Sequence, residues 1–274
     1  MQRNGITICS SVLVISAFSG FVRWVQNQSA FELDTGLMIP GKFWSKAAML
    51  VCVACIAAIC MMVRRLWYQG YYPAQDYSSL INGKPVWLRY ITRGIGAVMV
   101  VGACIAFLVA GYELYSTMVR TLCVLAVAAA WSFVKLTEEA KSEKASPMKQ
   151  MILCSLPVAM YVYWLIVSYR THAAIPSVWS YAVEVFAICL SILGTFYFAG
   201  YGYEFPRPYA ALAFLLSGCF LSLVTLLDDR NAGLALMMAA GAAMQMYYAW
   251  MIITSMSEEW PEEAEVEEVK EAEF

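Results

Sequence analysis

The sequence predicts an all-α integral membrane protein of eight transmembrane helices, arranged as two parallel four-helix repeats. Three observations carry this. Hydrophobic residues make up 61% of the 274 and charged residues only 14%, a deficit spread along the whole chain. A soluble domain carries roughly 25% charge. Eight continuous apolar stretches each approach the roughly 20 residues that a helix needs to cross the hydrocarbon core. Finally, a set of short motifs occurs twice in the same order.

The spans are expected near 5–25, 43–63, 93–112, 114–134, 150–169, 177–199, 208–227 and 232–255. Helices are the only element compatible with these stretches, because backbone polar groups in lipid must be satisfied internally. A β-barrel would show alternation, and these runs are continuously apolar. The first span ends at Arg23-Trp24 and its counterpart, span five, at Tyr169-Arg170. Spans two and six are opened by Ile39-Pro40 with Trp44-Ser45 and by Ile175-Pro176 with Trp179-Ser180. They leave the membrane through Gly70-Tyr71-Tyr72-Pro73 and Gly202-Tyr203-Glu204-Phe205-Pro206. Tyr and Trp suit the interface, and Pro stops each helix. In spans three and seven, Cys104, Leu108, Val109 and Glu113 recur as Cys219, Leu223, Val224 and Asp228. Spans four and eight close on Ala130-Trp131 with Glu138-Glu139 and on Ala249-Trp250 with Glu258-Glu259.

This gives a first repeat over 1–140, with a cytoplasmic insertion at 64–92, and a second over 141–257. An acidic tail follows at 258–274. Four spans per copy give both copies the same orientation, so the expected relation is a two-fold axis along the membrane normal. Small residues at Gly102, Ala106 and Ala110, and at Ala235, Ala239 and Ala243, predict close helix approach.

The net charge of −2 hides two parts. From Glu258 onward there are nine Glu and one Lys, leaving seventeen basic and eleven acidic groups before it. The tail has no large apolar set to bury. Loops 64–92 and 135–149 hold eight Lys and Arg, and Arg3, Arg93 and Arg207 fall on the same side, against Arg23, Lys42, Lys46, Arg170 and Arg230 on the other, so the positive-inside rule places both termini in the cytoplasm. The chain is therefore assigned to the cell membrane. Residues 1–20 have a basic start and an apolar core but lack an A-x-A site, so cleavage as a signal peptide is not expected.

Several chemistries are excluded. His172 is the only His, so haem and zinc sites built on His fall away. There is no HExxH, no paired intramembrane Asp, no Walker A and no GxGxxG. No Lys lies between Lys149 and Lys270, so a retinal-type Schiff base in a late span is absent. All nine Cys fall inside spans and read as small apolar packing residues; Cys52 and Cys55, with Met49, have soft-metal spacing, but no partner pair accompanies them. No cofactor, metal or catalytic residue is assigned, and the chain is not read as an enzyme.

What remains is charge inside the membrane. Arg120 and Glu184 lie well within spans four and six at similar depth, with opposite sign. Ionisable groups there are functional candidates by default. They are expected to meet, either as a static bridge between the halves or as the lining of a cavity open to the outside; the alternative is that Arg120 snorkels outward. Lys46, Glu113 and Asp228 are placed at the same side. Tyr161 and Trp164 follow Pro157 in span five and are assigned either to that cavity or, preferentially, to the aromatic belt. Two functions follow. One is binding or transport of a small solute through a polar cavity between the repeats. The alternative is a non-catalytic membrane subunit or scaffold that docks a cytoplasmic protein partner through its basic loops and acidic tail. Beyond these, the lipid bilayer is the only partner expected, and no nucleic acid.

Overall fold

The computed structural model describes residues 2–32, 37–39, 41–74, 77–81, 87–112, 115–139, 147–172 and 178–256. The acidic tail, Glu113, Pro40 and the Ile175-Pro176 pair lie outside them. Nine α-helices occur among the described residues: α1 (Gln2–Ser29), α2 (Phe43–Tyr68), α3 (Tyr77–Ile81), α4 (Trp87–Val109), α5 (Ser116–Glu139), α6 (Pro147–His172), α7 (Val178–Ala199), α8 (Pro208–Val224) and α9 (Ala232–Thr254). Eight of these, all but α3, are long and apolar enough to span a bilayer. The chain is thus a helical, multi-pass membrane protein with all eight expected spans.

The boundaries have local causes. Pro208 supplies the first turn of α8, where a missing N–H costs nothing. Asn231 caps α9 by accepting from the Gly233 N–H at 2.8 Å. α1 runs further than the apolar stretch suggests. Gln26, Asn27 and Gln28 read as a loop but continue the helix to Ser29. Two glycines with positive φ, Gly41 and Gly70, flank α2 at its start and end.

Successive helices α4 to α9 pack side by side, and α9 returns to α4, closing a ring of six. α8 and α9 are its most enclosed members, with two thirds of their spans buried. The α1–α2 hairpin docks on the outside of this ring, chiefly against α8. The core is built by Leu212, Leu215, Leu216 and Phe220 of α8, and by Met237, Met244, Tyr248 and Ile252 of α9. Phe198 stacks on Tyr248 at 3.8 Å, and Phe133 meets Tyr248 edge-on at 5.4 Å.

The α4–α9 crossing is tight. A Cβ on Gly102 would lie 2.9 Å from the Gly233 carbonyl and the Leu236 Cβ. One on Gly233 would run into the backbone of Ala106. The expected small-residue face of α4 is therefore in use. On α9, Gly233 serves that crossing, while Ala239 and Ala243 line a separate apolar cleft with Trp87 and Ile91.

The α1–α2 and α4–α5 interfaces have counterparts in α6–α7 and α8–α9, but one interface does not repeat between the halves. α7 lies along α8, whereas α2 and α4, their counterparts, have no comparable contact. The link from α7 to α8 covers only 200–207, but the link from α2 to α4 covers 69–86 and includes α3. α4 packs on α9 instead.

One end of the bundle carries the C-termini of α2, α5 and α7 and the N-termini of α4, α6 and α8, with Arg64, Arg65, Arg89, Arg93, Lys135, Lys149 and Arg207; we call it the basic end. The other, the distal end, carries the C-termini of α1, α6 and α8, the N-termini of α2, α7 and α9, and the 228–231 link.

Candidate functional site

α1 carries a polar stripe: Ser16, Ser19, Arg23 and Gln26, all 5% exposed or less. Their spacing of three, four and three residues puts them on one face. That face turns inward, and it delivers a guanidinium to the distal end of the bundle.

The receiving group is Asp228. The 3₁₀ turn Thr225–Leu227 ends just before it, and Asn231 caps α9 just after. The four-residue link is thus held at both ends. Its backbone is extended at Asp228, so alternate side chains point to opposite sides. Asp228 and Arg230 turn inward, while Asp229 is exposed.

Four charges assemble there. Arg23 donates Nε to Asp228 Oδ1 at 2.9 Å and Nη1 to Gln26 Oε1 at 2.8 Å. Asn27 adds its Nδ2 to the same carboxylate oxygen at 2.8 Å. Arg230 Nη2 lies 3.3 Å from Glu184 Oε2 and 3.8 Å from Asp228 Oδ2. Ser168 of α6 donates to Glu184 Oε1 at 3.1 Å. The four side chains are between 2% and 14% exposed. Two cations and two anions sum to zero, which is what makes such burial tolerable. The cluster ties α1, α6 and α7 to the α8–α9 link.

A pocket of about 510 Å³ opens over this cluster, lined by Trp24, Asn27, Phe31, His172, Tyr181, Glu184, Asp228 and Asp229, with Gln28 and Leu227. Its lining holds three carboxylates and no Lys or Arg. The arginines stand behind. Arg23 instead lines a groove of about 280 Å³ between α2 and α7, which contains no acid. The cluster is therefore polarised, negative towards the distal pocket and positive towards the side. Aromatic faces complete the pocket. His172 stacks on Tyr181 at 4.8 Å, and its Nδ1 lies 2.8 Å from the Ser168 carbonyl, the geometry of an N–H donated to that oxygen.

The expected Arg120–Glu184 pair is not formed. Glu184 is held by Arg230 and Ser168. Arg120 is exposed on α5 with its guanidinium 5.4 Å from the Phe107 ring centroid. Equal depth was not sufficient, because α6 stands between α5 and α7. Lys46 is exposed on α2 and joins no ion pair among the described residues. Glu113 lies outside the described residues. Asp228 is part of the site, as a cluster member and not merely a rim charge.

Tyr161 and Trp164 belong neither to the pocket nor to an aromatic belt. Both are buried, at 0% and 2%, and stacked on each other at 6.3 Å. Gln245 of α9 donates Nε2 to the Tyr161 hydroxyl and to Ser191 Oγ, each at 2.9 Å. Gly241 and Gly218 leave the room: a Cβ at either would strike the Tyr161 hydroxyl or the Gln245 carbonyl oxygen.

Sequence reasoning missed Arg23 and Arg230 as site residues. Arg230 gave no signal beyond its charge. Arg23 did, through the helical spacing of Ser16, Ser19, Arg23 and Gln26. No group of three or more His, Cys, Asp or Glu able to hold a metal occurs among the described residues. Comparison with known proteins finds no match among family models, curated proteins or solved structures.

Proposed function

We propose that this chain is a membrane-embedded binding protein that takes a small cationic solute at its distal pocket. The observation that carries the reading is the polarised cluster. Glu184, Asp228 and Asp229 face the pocket, and the compensating arginines do not line it. Trp24, Phe31 and Tyr181 line the same space, and aromatic rings attract organic cations. By the positive-inside reading the distal end is extracellular. Beneath the pocket the interior is filled by the Tyr161–Gln245–Ser191 layer. Binding is therefore the primary activity, and movement of the solute across would require these helices to part. A second reading, docking of a cytoplasmic partner, is supported by the exposed Arg64 and Arg65 at the basic end. The ordered motif matches also support descent from a duplicated four-helix unit whose copies now pack differently.

The test is calorimetric titration of the purified protein with choline and with its uncharged isostere, 3,3-dimethyl-1-butanol. Choline should bind and the isostere should not. Asp229→Asn, at an exposed rim position, should weaken choline several-fold while leaving thermal stability unchanged, as expected for a surface change. Equal heats for the charged and neutral probes would sink the reading.

A further inference from the structure

A second cavity stands apart from the distal pocket. It lies between α6 and α7 towards the basic end, has a volume of about 780 Å³, and opens sideways to where lipid would lie. Its apolar wall is formed by Val158, Ala159 and Val162 of α6 and by Phe196 of α7. Ala159 and Val162 are exposed, as is Phe196 at 59%. Its basic-end rim is polar, with Arg207, Tyr203 and Ser155.

Arg207 is exposed and forms no ion pair among the described residues. The Tyr203 hydroxyl lies 2.7 Å from Ser155 Oγ and is itself exposed. From Ser155 to Val162 the wall of α6 rises roughly 10 Å into the bilayer. The cleft is thus polar and cationic at the interface and apolar above it, the pattern of a headgroup and a hydrocarbon chain. Basic pockets between transmembrane helices on the cytoplasmic side suit anionic lipid headgroups.

We propose that this cleft holds one anionic phospholipid, with its phosphate on Arg207 and the Tyr203 hydroxyl and an acyl chain along Val158, Ala159 and Val162. The unpaired positive charge selects the anionic lipid. The apolar wall selects a membrane lipid over free phosphate.

Native mass spectrometry of the full chain tests this, after exchange into micelles doped with phosphatidylglycerol or with phosphatidylcholine. One phosphatidylglycerol per monomer should be retained, in preference to phosphatidylcholine by roughly fivefold, as one basic group at the surface would give. Arg207→Gln should abolish that preference. Ala159→Trp fills the cleft from an exposed position, so it should expel the lipid with unchanged thermal stability. Equal retention of the two lipids, or retention undiminished in Ala159→Trp, would overturn the proposal. So would retention of inorganic phosphate alone.

Discussion

Asp228 accepts from Arg23 and Asn27 through one oxygen and faces Arg230 with the other. A carboxylate so placed stabilises only while its cations stay. Arg120 is the contrasting case. It carries a positive charge inside a span, but it is exposed, with its guanidinium 5.4 Å from the Phe107 ring centroid and beside Gly111. A long side chain in that position reaches towards the interface and needs no partner. Arg120→Met should therefore shift stability by no more than about 0.5 kcal/mol. Thermal unfolding in detergent measures it, and a loss of several kcal/mol would mean that Arg120 has a partner after all. The sequence puts Arg120 and Glu184 at similar positions along their spans. It could not place them in azimuth, because a single helix does not state which neighbour faces it.

At the scale of elements, the eight spans were legible because lipid imposes one demand on all of them: about 20 apolar residues with every backbone group bonded within the helix. Interhelical contacts are less legible, since lipid-facing and protein-facing surfaces are both apolar. Small residues are the exception, as they mark where backbones approach. At the α4–α9 crossing, Gly233 packs directly on the Ala106 backbone. Gly233→Ala should cost about 3 kcal/mol, because backbone cannot move aside as a flexible side chain would. Chemical unfolding in detergent should show it, whereas Gly94→Ala, inside α4 with nothing within 4 Å, should cost nothing and stabilise by up to about 1 kcal/mol. Equal effects at the two glycines would show that the helices do not cross there.

At the scale of the whole molecule, the motif repeats predict a two-fold arrangement, and the α1–α2 and α4–α5 contacts have counterparts in α6–α7 and α8–α9, whereas the α7–α8 contact has none. α7, joined to α8 by the short 200–207 link, lies along it, while α4 packs on α9. The α1–α2 hairpin is left outside the ring, and the buried charge cluster is its polar anchor. That anchor also sets the polarity of the distal pocket. A double-mutant cycle on Arg23→Met and Asp228→Asn, read as unfolding free energy in detergent, tests it most directly. Arg23→Met alone should cost about 3–5 kcal/mol, since it strands buried acid. The double change should recover part of this, with a coupling above about 1 kcal/mol. Strict additivity would mean that Arg23 and Asp228 do not meet, and the cluster, with the pocket it polarises, would not exist as described.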